Sequence, residues 1–159
     1  MKTVILYATK HGASAEIARR ISEEIRNSII HNLKQECMPP ISEFDCVIVG
    51  SSVYAGAFRK EAKTFFAQNA DILKEKRLGL FLSGMSGNDG AEVFSANVPE
   101  DVLKAAKARC ALGGIFDPKK SNLFERLIMR VVTKKSEYVS TISDERISEF
   151  VDAMNDVVE

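Results

Sequence analysis

The segment with the clearest chemistry lies near the N-terminus, where an apolar run ends at Thr9 and a helical pattern begins after Gly12. The first turn of a helix has backbone N–H groups without partners and the positive end of the helix dipole, so it binds anions. Thr9 and Ser14 add hydroxyl donors, Gly12 allows close approach of the backbone, and Ser14 suits the N-cap. Residues 9–14 therefore predict a phosphate-binding loop, although an ordinary capped turn would use the same residue types.

Two further segments of small residues, 51–57 and 83–90, directly follow apolar runs. Tyr54 in the first segment can stack on a flat ring, while the backbone of the small residues after it is free to bind polar atoms at the ring edge. The second segment offers small side chains and N–H groups for the opposite edge. These loops predict a site for a flat ligand, and the alternative for Tyr54 is a half-buried loop aromatic.

The elements that must position these loops are apolar strands that alternate with amphipathic helices. Strands are predicted at 4–8, 33–38, 45–50, 78–82 and 108–112, and helices at 15–28, 60–69, 99–107 and from a cap at Asp144 onward. This alternation predicts a parallel, doubly wound sheet. In such sheets ligands bind beyond the carboxyl ends of the strands, where all three loops are expected.

Composition limits the function classes. The 159 residues are 45% apolar, which predicts a single domain over residues 1–159 with a real core. Lys plus Arg equals Asp plus Glu at 22 each, so the net charge gives no reason to expect a nucleic acid partner. No segment approaches the roughly 18 apolar residues of a membrane span.

Cysteine and histidine usage argues against a metal centre. Cys37, Cys46 and Cys110 form no Cys-x-x-Cys pair, and the chain has only His11 and His31 as imidazole ligands. The number of cysteines is odd. The first apolar run starts directly after Lys2 and ends in the predicted phosphate loop, a pattern that does not suit a signal peptide. Both observations predict a reducing cytoplasm.

Other phosphate-binding folds are excluded by their motifs. The chain has neither Gly-x-x-x-x-Gly-Lys-Ser/Thr nor Gly-x-Gly-x-x-Gly after its first strand. A receiver domain needs acidic residues where this chain has Ala8, Thr9 and Ser51. A phosphatase loop, Cys-x5-Arg, follows none of the cysteines.

The spacing Thr-x-x-Gly-x-Ser-x-x-x-Ala after an apolar strand, with Tyr54 and Gly56 in register, resembles the flavodoxins, whose phosphate loop binds the 5′-phosphate of FMN. The resemblance implies a flavodoxin-like α/β fold, a five-stranded parallel sheet of order 2-1-3-4-5 with helices on both faces, and FMN as cofactor. The residues implied for the phosphate are Thr9, His11, Gly12, Ala13 and Ser14, and those implied for the ring are Tyr54, Ala55, Gly56, Ala57, Ser83, Gly84, Met85, Ser86 and Gly87. For His11 itself we favour a solvent-exposed loop position over contact with the phosphate, and no protein acid or base is assigned.

About thirty residues separate Gly114 from the last predicted helix, far more than a usual connection. Within them, apolar residues at Phe124, Leu127, Ile128 and Val131 predict an extra amphipathic helix near 122–133. This segment, with the Arg-Cys-Ala-x-Gly-Gly run before it, resembles the menaquinone-dependent protoporphyrinogen IX dehydrogenases of haem synthesis. The resemblance implies oxidation of protoporphyrinogen IX, with electrons passed to a membrane quinone.

Basic residues surround this helix at Arg126, Arg130, Lys134 and Lys135. They would contact anionic lipid or a propionate-bearing substrate, which predicts a protein at the membrane periphery. The alternative is a surface helix whose apolar face covers the sheet edge.

Three functions stay open at this point. We favour an FMN-dependent oxidoreductase of the protoporphyrinogen dehydrogenase type, because electron-carrier flavodoxins are usually markedly acidic and this chain is not. A soluble electron carrier that serves a redox partner protein is the first alternative. A flavin-free binding module of the same fold is the second.

Overall fold

The computed structural model describes residues 1–85, 90–134 and 137–156. The strands in these ranges are β1 (Thr3–Ala8), β2 (Ser28–Asn32), β3 (Cys46–Tyr54), β4 (Ala57–Phe58), β5 (Arg77–Ser83), β6 (Ala106–Ala111), β7 (Ile115–Phe116) and β8 (Val139–Ser140). The helices are α1 (Ala13–Glu24), α2 (Lys60–Lys74), α3 (Ala91–Asn97), α4 (Glu100–Ala105), α5 (Leu123–Thr133) and α6 (Asp144–Asn155).

The main sheet has the strand order β2-β1-β3-β5-β6, and these five strands are parallel to one another. Counted among themselves they follow the order 2-1-3-4-5, so the predicted flavodoxin-like α/β fold is confirmed. The short β4 pairs antiparallel with the end of β3, and β7 and β8 form a separate two-stranded ribbon. The strand order reverses between β1 and β3, which is where a ligand site is expected.

The central strands are buried because helices cover both faces of the sheet. Alternate side chains of β1 point to opposite faces, with Leu6 in the core under α2 and α4 and Ile5 in the core under α1 and α6. The first core is built around Phe65 and Phe66 of α2, and the second includes Phe150 of α6. Unbroken apolar runs are what a strand buried on both faces requires, so these strands were predictable.

Several predicted boundaries are wrong. The segment 33–38 contains no strand, and the second strand is β2, which comes earlier in the chain. Residues 33–34 form a turn instead, and bends follow at residues 35–37. The helix α3 was not predicted, and α2 continues beyond Asn69 to Lys74.

The caps also differ from the predictions. Gly12 is the N-cap of α1, and Ser14 lies inside the helix with its side chain fully buried. Ser143, rather than Asp144, caps α6, because its side chain accepts a hydrogen bond from the backbone of Arg146. Short polar residues adjacent in sequence compete for a cap position, and the local backbone selects one of them.

The fold brings the three predicted loops to one edge of the sheet, beyond the carboxyl ends of β1, β3 and β5. The helix α5 lies at the same edge, inside the long connection between β7 and β8. Among the described residues, no helix is long and apolar enough to cross a membrane.

Candidate functional site

The predicted phosphate loop joins β1 to α1 in a tight turn. Gly12 has a φ of 100°, a left-handed conformation that favours glycine, and its carbonyl accepts the first hydrogen bond of α1 from the Glu16 amide at 3.0 Å. The Thr9 hydroxyl accepts a hydrogen bond from the Gly12 amide at 2.9 Å. Among the residues that the structure describes, no side chain caps α1, so none of them takes the first amides of this helix.

Ser14 is held by a residue from a different loop. Its hydroxyl oxygen lies 2.8 Å from that of Ser83, at the end of β5, and both side chains are buried. The contact ties the first turn of α1 to the third predicted loop. Two of the segments predicted to share one ligand are therefore joined by their own side chains.

The segment predicted as a small-residue loop around Tyr54 is a tight hairpin. β3 runs as far as Tyr54, and Ala55 and Gly56, with φ of 49° and 76°, turn the chain into β4. Positive φ at both central residues is the geometry of a two-residue hairpin turn. The Asn97 side chain supports it, because its amide nitrogen donates to the Gly56 carbonyl at 2.8 Å.

The loop after β5 is held close to the chain that follows β6. The Gly84 amide donates to the Gly113 carbonyl at 3.1 Å. A Cβ atom on Gly114 would lie only 2.8 Å from the backbone of Gly84, so glycine is required for this close approach. Of the residues predicted here, Ser83, Gly84 and Met85 are placed at the sheet edge, whereas Ser86 and Gly87 lie outside the described residues.

These loops and α5 enclose a cleft of about 460 Å³, a volume in the range of small-molecule and cofactor sites. The predicted residues that line it are His11, Ala13, Tyr54, Ala55, Ser83, Gly84 and Met85. The predicted residues that belong to the same loops but do not line it are Thr9, Gly12, Ser14, Gly56 and Ala57. Gly12 and His11 also line a smaller polar recess of about 290 Å³, which includes Arg20 and Lys120.

Sequence reasoning missed part of the cleft wall. The lining residues not predicted are Lys10, Ser52, Val53, Gly114, Ile115, Phe116, Ser121, Phe124, Glu125, Ile128 and Met129. Most are apolar, and their approach depends on how the connection after β6 folds back over the sheet edge. Glu125 did have a sequence signal, because Asn122-x-x-Glu125 has the spacing of a helix capping box.

The Glu125 carboxylate has three polar partners in and beside the cleft. Glu125 is 8% exposed, and it accepts hydrogen bonds from the Lys10 ammonium and from the Asn122 amide, the latter at 3.1 Å. Its second contact with the phosphate loop is His11, whose Nε2 lies 3.0 Å from Oε2. Burial acts to raise the pKa of Glu125, but the hydrogen bonds from Lys10 and Asn122 and the charges of His11 and Lys10 together hold that pKa below its usual value. Glu125 is therefore a buried carboxylate, ionised at neutral pH, beside the predicted phosphate loop.

Two predicted side chains have different surroundings from those expected. His11 is half-buried against Glu125, so the expectation of a solvent-exposed loop residue is wrong. Tyr54 is 40% exposed, and the Lys10 ammonium lies 4.1 Å from the centroid of its ring. One face of Tyr54 therefore carries a cation–π contact.

The apolar side of α5 does not cover the sheet edge, which corrects the simpler expectation for this helix. Leu123, Phe124, Leu127 and Val131 are all more than half exposed, and Ile128 is 41% exposed. Arg126 and Arg130 lie with three of these residues in a shallow groove. Lys134 ends the helix in a left-handed conformation, and Lys135 lies outside the described residues.

Within residues 1–85, 90–134 and 137–156, no group of three or more histidine, cysteine or acidic side chains is arranged to hold a metal ion. The three cysteines are free thiols, with Cys37 exposed, Cys46 buried and Cys110 half-buried.

Solved structures with the same fold are similar over nearly the whole chain. Rubredoxin oxygen:oxidoreductase from Desulfovibrio gigas aligns with a TM-score of 0.63 at 15% identity, over 96% of this chain but 35% of that one. Oxidised flavodoxin 1 from Bacillus cereus aligns with a TM-score of 0.61 at 15% identity, over 97% of this chain and 95% of its own. A short-chain flavodoxin associated with a bacterial microcompartment aligns with a TM-score of 0.54 at 18% identity, over 97% of both chains.

The sequence matches one protein family over most of its length. No curated protein matches. The family model described as "Flavodoxin domain" matches residues 4–143, which covers the phosphate loop, the Tyr54 hairpin and α5. The narrower resemblance to protoporphyrinogen IX dehydrogenases stays a prediction. The chain belongs to the flavodoxin domain family.

Proposed function

We propose that this chain is an FMN-binding flavoprotein oxidoreductase. Membership of the flavodoxin domain family supports FMN as the cofactor. The single observation that carries the proposal is the cleft of about 460 Å³ at the point where the strand order reverses, with the phosphate-loop residues at one side.

The residues present suit the cofactor. The uncapped first turn of α1, with Lys10 and His11 beside it, would hold the phosphate. The flat ring would lie between the Tyr54 hairpin and the Ser83–Met85 segment, in a cleft whose surface is mostly apolar. Bound flavin supplies hydride and single-electron transfer, so the protein has only to bind, orient and shield it.

The chain's own contribution is positioning and exclusion of water. Phe116, Phe124 and Ile128 form an apolar part of the cleft wall. Ser52 lines the cleft, and its hydroxyl, which accepts a hydrogen bond from the Lys10 amide at 3.0 Å, can donate its own hydrogen to the polar edge of a ring. No side chain is assigned as acid or base.

For the reaction partner, we favour a membrane quinone, with protoporphyrinogen IX as the substrate. The support is the exposed apolar side of α5 with Arg126, Arg130 and Lys134 beside it, a combination that suits the surface of an anionic membrane. A soluble electron carrier with a protein partner is the alternative, and the family and fold are equally compatible with it.

The first test is the visible absorption spectrum of the purified protein with FMN added. Flavin bands that persist after gel filtration, with riboflavin and FAD failing to compete, are expected for a site anchored on the phosphate. Replacing Lys10 by Met and His11 by Ala together should weaken retention strongly, because both side chains line the cleft beside the first turn of α1, while Thr64→Ala, on the exposed side of α2, should retain FMN. If the wild-type chain retains no FMN, it is a flavin-free module of this fold.

The second test separates the enzyme from the carrier. The holoprotein is assayed for oxidation of protoporphyrinogen IX with a menaquinone analogue as acceptor, and for sedimentation with vesicles. Binding to anionic but not to neutral vesicles is expected, and R126Q/R130Q should weaken it. The matched control K60Q/K63Q removes two exposed charges from α2 and should bind as wild type. A holoprotein that neither oxidises the substrate nor sediments with anionic vesicles is better described as a soluble carrier.

A further inference from the structure

The helix α5 is attached to the protein in an unusual way. Among its side chains that the structure describes, Glu125 alone is buried, and the apolar residues Leu123, Phe124 and Leu127 are exposed. Helices of globular proteins are normally held by their apolar side. Here the one buried side chain among those described is a carboxylate, so charged hydrogen bonds contribute to holding α5 in place.

The carboxylate of Glu125 contacts two side chains of the phosphate loop. One oxygen of Glu125 accepts from the Lys10 ammonium, and the other lies 3.0 Å from His11 Nε2. The Asn122 amide donates to that second oxygen, and Glu125's own amide donates back to the Asn122 side chain at 2.8 Å. The carboxylate is therefore fixed in direction by the start of its own helix and aimed at the loop.

A phosphate group would compete for the same donors. Carboxylate and phosphate oxygens both accept charge-assisted hydrogen bonds from Lys and His, and a phosphate monoester carries about −1.5 to −2 charge at neutral pH. Lys10, His11, Ala13 and Glu125 all line one cleft. A second anion brought to this loop would be repelled by Glu125 in a partly desolvated site, where repulsion between like charges is strong.

We propose that the Glu125 carboxylate takes the place of the cofactor phosphate. It accepts the hydrogen bonds of Lys10 and His11 when no flavin is bound, and the phosphate of FMN displaces it and releases the N-terminal end of α5. This inference rests on the proposed function for its ligand. Flavin occupancy would thus be coupled to the freedom of the helix that carries the exposed apolar surface.

The test uses Glu125→Gln, because glutamine retains the capping-box hydrogen bonds and removes only the charge. In the flavin-free variant, hydrogen exchange in residues 121–131 should be about tenfold faster than in wild type, as expected for loss of a charged hydrogen bond. FMN should bind about tenfold more tightly, and riboflavin, which has no phosphate, should bind equally well to both proteins. Glu92→Gln, an exposed carboxylate on α3, should change neither quantity.

Lys10→Met breaks the same contact from the loop side. It should also speed exchange in α5, but it should not tighten FMN binding, because it removes a cation that the phosphate would use. Unchanged α5 exchange in both variants would overturn the proposal. Weaker FMN binding by Glu125→Gln, or an equal gain for riboflavin, would overturn it as well.

Inorganic phosphate separates this inference from the assignment of FMN. Phosphate added to the flavin-free wild type should speed exchange in α5, compared with chloride at equal ionic strength, and should have no effect on Glu125→Gln. If wild type retains no FMN but phosphate speeds hydrogen exchange in α5, the proposed function fails and the displacement of Glu125 by an anion stands. If phosphate leaves hydrogen exchange in α5 unchanged, the displacement of Glu125 is refuted even where FMN binds.

Discussion

The hydroxyl oxygens of Ser14 and Ser83 lie 2.8 Å apart in the interior, although 69 positions separate these residues in the chain. The contact joins the first turn of α1 to the last residue of β5, and neither side chain reaches solvent to an appreciable extent. Two loops that would hold opposite ends of a ligand are thus fixed relative to each other before the ligand arrives.

We expect Ser14→Ala and Ser83→Ala each to lower the free energy of unfolding by roughly 1–3 kcal/mol, since each leaves a buried hydroxyl without its partner. The double variant should cost clearly less than the sum, and urea unfolding of all four proteins measures the coupling. The pair Ser22 and Ser28, also 2.8 Å apart but half-buried, is the control. It should show weaker coupling because water can replace the lost hydroxyl. Additive costs at Ser14 and Ser83 would contradict this description.

Gly50 lies in β3 directly opposite Phe81 of β5. A Cβ atom at position 50 would come within 1.9 Å of the Phe81 ring, which is fully buried. Gly50→Ala should therefore destabilise the flavin-free protein by roughly 1–3 kcal/mol, the usual cost of overpacking a core. At Gly84 the nearest atom to an added Cβ would be 3.7 Å away, so Gly84→Ala should be nearly neutral. Thermal unfolding of the two variants would distinguish them, and equal melting temperatures would refute the packing argument.

Glu16 gives α1 a stability that depends on pH. Hydrogen bonds from Arg19 and then Arg20 lower the pKa of Glu16 from 4.5 to about 2. A carboxyl group with a lowered pKa stabilises the folded state above its unfolded pKa, and this contribution is lost as the pH falls from about 4.5 toward 2.

Glu16→Gln should therefore be less stable than wild type at neutral pH, by about 1 kcal/mol or less because the group is partly exposed. The difference should shrink as the pH falls below 4.5. Urea midpoints across this pH range measure it, with Glu24→Gln, exposed on the same helix, as control. A difference that does not change with pH would show that the ion pairs do not cause it.

The three thiols should react at different rates. Cys37 is exposed, whereas burial raises the pKa of Cys46 to about 11 and also raises the pKa of Cys110. Because the thiolate is the reactive form, a disulfide reagent applied to the native protein should label Cys37 first, Cys110 slowly and Cys46 only on unfolding. Cys37→Ser should remove the fast phase. A fast phase that survives this substitution would mean that Cys110 is more accessible than the structure indicates.

The elements that could be predicted from sequence are those whose burial is uniform. The runs around Ile5, Ile48 and Leu80 are apolar at every position because both faces of these strands are covered, so their patterns had one interpretation. The edge strand β2 exposes Ile29 and Ile30, and its short pattern was not separable from the end of a helix. That is why the second strand was placed too late in the chain.

The residues of the candidate site also divide into those that the sequence could predict and those that it could not. The residues after β1, β3 and β5 could be predicted because sheet topology decides where those loops meet. Glu125 and Phe124 could not, because a long connection has no periodic pattern that says where it folds back. The apolar spacing of Phe124 and Leu127 predicted a helix near 122–133, but nothing local predicts that the Glu125 carboxylate reaches Lys10 on a loop 115 positions away.

The two edges of the main sheet differ in their resistance to unwanted assembly. The outer strand β6 exposes Lys107 and Arg109, and charges on an edge discourage a second sheet from adding to it. The opposite outer strand, β2, instead exposes the two adjacent isoleucines described above. Concentrated solutions of this protein are therefore expected to form strand-paired aggregates through β2, and a lysine at position 29 is the substitution that would make the protein easier to keep in solution.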